Sequence, residues 1–269
     1  MRTIVHLSDL HFGRVDERLL EPLIRSIKEI HPDLIAVSGD LTQRARSHQF
    51  LEARAFLDKL PKPQIVVPGN HDVPLHNIYA RFVGRLAKYK RYITDDLQPM
   101  YSDEEMVVVG VNTARSLTFK GGRINELQVA ELRNKLCARG DDVIKAVVTH
   151  HPFDLPEGHD ERDLVGRARM AMATLADCGA DVFLAGHLHV SHTGHTAKRY
   201  NIAGHSALVI QAGTATSTRG RGEANSFNVV SVDHPHVSVA RFLWQSSSES
   251  FAPESEEKFE RTGEGWVRI

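Results

Sequence analysis

Two rhythms of apolar residues alternate along this chain. Short β-branched runs, each stopped by a polar or glycine-containing turn, alternate with longer stretches in which apolar positions recur every three or four residues. The first run is Thr3 to Leu7. Leu20, Leu23, Ile24, Ile27 and Ile30 then lie on one face of a helix. Asp33 to Ser38 predicts a second strand, and Ser47 to Lys59 a helix with Phe50, Leu51 and Leu57 toward a core. A third strand, Gln64 to Val67, leads into Gly69-Asn70-His71-Asp72. Strands at Met106 to Val111 and Val143 to Thr149 bracket a helix over Glu126 to Ala138, and a helix over Arg162 to Asp177 precedes a strand at Val182 to Ala185. These are repeated βα units.

The period changes after Ser191. Strands and turns run on through Leu208 to Ile210, Phe227 to Val232 and His236 to Leu243, with no convincing helix. With no internal repeat and no clean linker, residues 1–245 read as one catalytic-sized α/β domain, followed by a polar, acidic tail over residues 246–269. The tail's composition suits disorder. Its Phe251, Phe259, Trp266 and Val267 are costly to leave in water, so docking on its own or a neighbouring subunit of a homo-oligomer stands as the alternative.

Composition narrows the setting. An apolar content of 41% in 269 residues supplies a sizeable core, and 33 Lys and Arg against 34 Asp and Glu leave no global field for nucleic acid or anionic lipid. Cys137 and Cys178 fall in helical stretches and read as reduced, buried thiols. The opening residues turn polar too soon for a signal peptide, and no apolar run approaches the roughly 20 residues that span a bilayer. A cytoplasmic location with no membrane partner is expected.

Each buried strand ends in polar residues of a consistent kind. The strand ends read Ser8-Asp9-Leu10-His11, Gly39-Asp40, Gly69-Asn70-His71-Asp72, Thr149-His150-His151-Pro152 and Gly186-His187-Leu188-His189. In open α/β sheets ligands bind outside the carboxyl ends of strands, so these clusters become neighbours in space. In an extended segment, a spacing of two turns Asp9 and His11, or His187 and His189, to the same side. Either Asp-x-His or Gly-Asp alone is an ordinary turn. Their joint register with strand ends is what points to a site.

Asp9, His11, Asp40, Asn70, His150, His187 and His189 provide carboxylates, imidazoles and one neutral amide oxygen, without a thiolate. Such donors suit Mn²⁺, Fe²⁺ or Fe³⁺, and Zn²⁺. Seven groups are too many for one ion. Two ions sharing a carboxylate, about 3.5–4 Å apart, form the clamp that stabilises the attacking and leaving oxygens of an in-line displacement.

The five blocks, in this order from residue 9 to residue 189, resemble the signature of the calcineurin-like metallophosphoesterases. That resemblance implies a four-layer αββα sandwich with two mixed β-sheets flanked by helices. It places Asp9, His11 and His189 on one metal, Asn70, His150 and His187 on the other, and Asp40 between them. It leaves His71 facing the substrate as the acid for the leaving group, with Asp72 holding its orientation, while a hydroxide shared by the cations attacks phosphorus. Asp72 also reads as a helix N-cap for the segment after Pro74.

Weaker candidates surround this set. Asn112, Arg115, Arg44 and His48 are candidates for the pocket rim, and Leu75 to Ile93, with Arg81, Arg85, Lys88, Lys90 and Arg91, reads as a cap or a solvated basic helix. His151 is expected to point away from its neighbour's side, and His192, His195 and His205 to sit on surface strands. Ser-Asp-Leu-His-Phe-Gly, Gly-Asp-Leu-Thr and Pro-Gly-Asn-His-Asp-Val-Pro resemble the small bacterial branch of cyclic-nucleotide and glycerophosphodiester phosphodiesterases. A phosphodiesterase on small soluble diesters such as 3′,5′-cyclic AMP is the expected activity, with no polymeric nucleic acid as partner. A DNA-repair-type metallonuclease and a non-catalytic scaffold on the same fold are the alternatives.

Overall fold

A computed structural model describes residues 1–74, 84–115, 121–200, 202, 205–219, 222–263 and 265–269. Three parallel strands, β1 (Arg2–Leu7), β2 (Leu34–Val37) and β3 (Gln64–Val66), alternate with helices α1 (Leu20–Ile30) and α2 (Ser47–Lys59). Helix α3 (Ala87–Tyr92) leads to a second set: β4 (Met100–Ser102), β5 (Met106–Gly110), α4 (Glu126–Leu136), β6 (Ile144–Val148), α5 (Ala168–Asp177), β7 (Val182–Ala185), β8 (His192–His195), α6 (Ala197–Tyr200) and β9 (Leu208–Gln211). The chain then returns to the first sheet through β10 (Ser226–Asp233), β11 (His236–Gln245), β12 (Ser250–Thr262) and β13 (Gly265–Arg268).

Sheet order results from these paths. The first sheet is β13-β12-β11-β10-β1-β2-β3, the second β4-β5-β6-β7-β9-β8. Both are mixed: β1-β2-β3 and β5-β6-β7-β9 are parallel, and antiparallel strands complete each sheet.

Alternation along the strands stacks the layers. Ile4, Ala36 and Ile65 of the first sheet meet Val108, Ala146, Val148 and Leu184 of the second in one core. The opposite faces of the same strands, through Val5, Leu7, Ile35 and Val37, pack on Leu23, Ile27, Phe50 and Phe56 of α1 and α2. On the far side Val107, Val109, Val147 and Phe183 pack on Val129, Leu132, Met172 and Leu175 of α4 and α5. Helix, sheet, sheet, helix is the result, as expected. Burial on both faces explains why the strands read as unbroken apolar runs. It also fixes register, because a slip of one residue would exchange the two faces of a strand.

Several expectations need correction. Leu51 is 55% exposed, because the buried stripe of α2 runs through Phe50, Ala53, Phe56 and Leu57 and Leu51 lies about 100° round the helix from Phe50. The helix expected from Arg162 starts at Ala168. Before it, Val165 donates its N–H to the Pro152 carbonyl and Gly166 to that of Gly122, so the backbone is committed to distant partners. A four-residue helical turn, α6, interrupts the region after Ser191 read as helix-free.

The two cysteines form a disulfide rather than reduced thiols. Each is the C-terminal cap of a helix, α4 and α5, and these two helices pack side by side, with Cα atoms 4.5 Å apart at the crosslink. The segment after residue 245 forms β12 and β13 on the first sheet of its own chain. Phe251, Phe259 and Trp266 are buried there, whereas Val267 is 43% exposed. No helix among the described residues is long and apolar enough to cross a membrane.

Of the stretch read as a cap or basic helix, residues 75–83 lie outside the described residues. The described remainder packs against α2: Tyr89 is buried edge-on against Phe50 and donates to the Val66 carbonyl at 2.9 Å.

Candidate metal centre

The carboxyl ends of β1, β2, β3, β6 and β7 meet at one edge of the two sheets. Backbone hydrogen bonds continue beyond the regular strands: Asp9 N–H donates to the Gly39 carbonyl at 3.1 Å, His11 to Asp40 at 2.9 Å, and Gly186 to His150 at 3.1 Å. These cross-loop bonds hold an unusual conformation. Asp9, His11, Asp40, His187 and His189 all have positive φ, between 51° and 75°. Each such residue costs about 1–3 kcal/mol and persists only where its surroundings over-determine it.

The expectation of an extended Asp-x-His segment is thereby corrected. Asp9 and His11 converge through left-handed turns, whereas His187 and His189, in the same conformation, enter separate groups of donors; the intervening Leu10 and Leu188 are buried as anchors. Close approach explains two of the glycines. A Cβ on Gly69 would overlap the Asp40 carboxylate, and one on Gly186 would overlap Ser8 Oγ.

All seven expected ligands are brought together and buried. Asp9, His11 and His189 offer donor atoms within 4.8 Å of one another. Asp9 Oδ1 lies 3.5 Å from both His11 Nε2 and His189 Nε2, while Asp9 Oδ2 accepts from Ser8 Oγ at 2.7 Å and from His187 N–H at 3.0 Å. Asp40 faces two ways. Its Oδ2 is 3.7 Å from His11 Nε2, and its Oδ1 is 3.4 Å from His150 Nε2. His150 Nε2 is also 3.0 Å from Asn70 Oδ1.

The donor set fits a cation on its own evidence. His150 Nδ1 sits 2.8 Å from the Ser38 carbonyl, which can only accept, so Nδ1 carries the proton. Burial pushes the His150 imidazole below its usual range, so the ring is neutral and Nε2 is a bare lone pair. Three electron-rich atoms, His150 Nε2, Asn70 Oδ1 and Asp40 Oδ1, therefore face one another. On the other side Asp9 Oδ1 and both ring nitrogens of His11 are buried without a hydrogen-bond partner. Positive charge resolves both groups. Burial by itself would raise the Asp9 and Asp40 carboxyls, and it takes positive charge beside them to hold both below the usual carboxylate range.

His71 is half-buried beside this set, its ring edge-on to His11 at 4.9 Å. Its Nδ1 donates to the Gln43 carbonyl at 2.9 Å, and its backbone N–H donates to Asp40 Oδ1 at 2.8 Å. Burial, then His11 and Arg219, lower its pKa against the pull of Asp40. Asp72 makes no hydrogen bond to the His71 ring, whose nitrogens pair with Gln43 and Arg219. Its Oδ2 accepts from Gly69 N–H at 2.9 Å and Leu41 N–H at 3.1 Å, and its Oδ1 from Thr42 N–H and Oγ1 at 2.9 Å. It ties the Asp40 loop to the Asn70 turn. Burial and the Asp40 carboxylate push the Asp72 carboxyl up to about 7, against those backbone donors.

The weaker candidates separate. Asn112 is buried and caps Ala114 N–H at 2.9 Å, and Arg115 reaches Gln128 Oε1 at 2.5 Å, away from the ligands. Arg44 and His48 are exposed. His192 and His195 lie on β8, an edge strand, and His205 in the half-buried loop before β9. His151, expected to point away, instead turns toward His187, with ring centroids 4.7 Å apart, and its Nδ1 pairs with Thr113 Oγ1 at 2.8 Å. His150, His151 and His187 form a second compact group of nitrogen donors, and Asp163 Oδ1 approaches His187 Nε2 at 3.6 Å.

Residues outside the expected set complete the site. Thr214 Oγ1 holds His189 Nδ1 at 2.8 Å, and Arg219 Nη1 donates to His71 Nε2 at 3.0 Å. A signal for them existed: Thr214 to Arg219 is a polar cluster after β9, another parallel strand ending at the same edge.

Known proteins resemble this chain to different degrees. The glycerophosphodiester phosphodiesterase GpdQ of Enterobacter lignolyticus is 28% identical over 174 residues, a match spanning 60% of this chain and 60% of that relative's length. A dimetal phosphatase from Danio rerio has the same fold at 15% identity, covering 88% of this chain and 95% of that one with a TM-score of 0.65. The purple acid phosphatase PPD1 from yellow lupin seeds shares the fold at 10% identity with a TM-score of 0.67, over 95% of this chain and 53% of its own. The sequence pattern of the calcineurin-like phosphoesterases matches residues 2–191, and the chain belongs to that family.

Proposed function

We propose that the chain is a dinuclear metal-dependent phosphodiesterase acting on small soluble diesters, with 3′,5′-cyclic AMP and glycerophosphodiesters as the substrates to test first. The observation that carries the reading is Asp40, whose two oxygens face separate groups of buried donors. In this reading Asp9, His11 and His189 hold one ion, Asn70, His150 and His187 the other, and Asp40 contributes to both. The nitrogen and oxygen donors, without a free thiol among them, suit Mn²⁺, Fe²⁺ or Fe³⁺, and Zn²⁺. When bound, two such ions supply Lewis acidity, acidifying water and offsetting charge on the phosphoryl oxygens.

The chain's own residues do the rest. Gln43 fixes the His71 ring through Nδ1, so Nε2, after taking up a proton from water, is the atom that passes it to the leaving ester oxygen. Asp72 keeps the Asp40 loop and the Asn70 turn in register, which places His71 indirectly. The Ser38 carbonyl and Thr214 hydroxyl orient His150 and His189 from behind, as outer partners of metal-binding histidines do. The GpdQ relative, named for its action on glycerophosphodiesters, supports the diester reading.

The deciding experiment assays cyclic nucleotides, glycerophosphodiesters, simple mono- and diesters and DNA in Mn²⁺, with metal content measured on the same sample. Two ions per chain and a preference for small diesters are expected. Two bound ions with no phosphoester turned over would sink the reading in favour of a scaffold, and a salt-sensitive preference for DNA would replace it with a nuclease.

A further inference from the structure

We propose that Arg219 is the residue that grips the phosphoryl group of the substrate. This deepens the phosphoesterase reading of the same site and rests on it. The guanidinium is half-buried, and among the described residues its side-chain partner is an imidazole, His71 Nε2 at 3.0 Å, not a carboxylate.

That pairing is chemically lopsided. Arginine offers five donors in a planar fork suited to the paired oxygens of a carboxylate or phosphate, whereas His71 supplies one neutral lone pair. His71 Nδ1 already donates to the Gln43 carbonyl, so among the described residues the imidazole is fully used and the fork is not.

The segment that carries Arg219 is built into the site. Ala215 N–H donates to the Ser8 carbonyl at 3.1 Å, Thr216 Oγ1 to the Leu10 carbonyl at 2.8 Å, and Thr218 N–H to the Arg14 carbonyl at 3.1 Å. Ser217 bridges Val15, its Oγ accepts from Arg219 N–H at 3.1 Å, and its carbonyl accepts from Asn225 Nδ2 at 2.9 Å. Thr214, at the start of the segment, holds His189. The backbone of Arg219 therefore shares a frame with Asp9, His11 and His189, and the contact with His71 Nε2 sets its guanidinium beside them.

A substrate phosphoryl group exchanges this weak contact for a strong one. Its non-bridging oxygens take the guanidinium in charge-assisted hydrogen bonds, and His71 Nε2 is released to take up a proton from water and face the ester oxygen with it. Anchoring and unmasking of His71 become one event. If Arg219 merely oriented the ring, its removal and that of His71 would have the same effect.

The test is calorimetric titration of the Mn²⁺-loaded protein with inorganic phosphate, for wild type, Arg219→Met, Arg219→Lys and His71→Ala. Loss of the charged hydrogen bonds in Arg219→Met is expected to weaken phosphate about tenfold or more with Mn²⁺ content unchanged. Arg219→Lys should recover part of the affinity, and His71→Ala should bind phosphate at least as well as wild type. Wild-type phosphate affinity in Arg219→Met, loss of Mn²⁺ from that variant, or no phosphate binding by wild type would each overturn the proposal. Arg219-dependent phosphate binding in a protein that turns over no diester would sink the diesterase reading and leave the anchor standing. An active diesterase with Arg219-independent phosphate binding would do the reverse.

Discussion

Thr42 donates both its backbone N–H and its hydroxyl to one oxygen of Asp72, each at 2.9 Å, across 30 positions of sequence. Asp72 thus acts as a clasp between two loops. Removing it leaves the buried donors of Leu41, Thr42 and Gly69 unpaired, and an unpaired buried donor costs about 1–3 kcal/mol. Asp72→Ala is expected to lose at least about 3 kcal/mol of stability in urea titration and to bind metal poorly. An Asp72→Ala protein of wild-type stability, altered only in the pH dependence of turnover, would restore a direct role toward His71.

Asp40 and His71 should fail in different ways. Asp40→Ala removes the carboxylate facing both donor groups, so bound metal is expected to fall below two ions per chain, with turnover down at least about a hundredfold. His71→Ala should keep its metal. It is expected to lose about 10²- to 10⁴-fold on alkyl diesters and much less on diesters with an acidic phenol leaving group, which needs no proton. Elemental analysis beside kinetics on both substrate types checks the pair. Equal losses on both would exclude His71 as the acid.

The Cys137–Cys178 crosslink closes a loop of 41 residues between two helix ends. By chain entropy it is expected to contribute about 4 kcal/mol. Reductant, or Cys137→Ser, should lower the urea midpoint without changing metal content, since the bond lies between α4 and α5, away from the ligands. A thiol assay showing two free cysteines in the purified protein would overturn the pairing.

Asp181 offers a pH test remote from the metal centre. Burial pushes its carboxyl up to about 6, while Lys145 N–H at 2.9 Å and the Arg261 guanidinium at 3.4 Å pull it down. A folded pKa above the unfolded value of 3.8 stabilises the protein most below about pH 4, and that contribution is lost as pH rises through 6. Asp181→Asn should therefore gain stability relative to wild type between pH 4 and pH 7, measured by urea titration at each pH. A difference that stays flat, or reverses, across this range would show that Asp181 is not raised.

Much of the fold and the site was legible in the sequence because the signals are local. A strand buried on both faces must be an unbroken apolar run, and one that feeds a ligand must end in donors, so Val5, Val37 and Val148 announce Asp9, Asp40 and His150 from a few residues away. Helix faces were legible for the same reason, although Leu51 shows that a single apolar residue does not define the face.

What depended on tertiary structure is whatever two distant segments decide together. Left-handed turns at Asp9 and His187 are imposed by hydrogen bonds from neighbouring loops; Asp and His tolerate that conformation better than most residues but do not by themselves place it there. His150 reaches Ser38 across 112 positions and Arg219 reaches His71 across 148, contacts created by the order of strands in the two sheets. The tail's place on β11, the disulfide and the duty of Asp72 are of the same kind. The sequence by itself determined which residues stand at the strand ends, because apolar periodicity is a short-range property. Only the packed sheets decided which of those residues face each other and which atom of each is turned into the candidate site, because that depends on contacts between segments far apart in the chain.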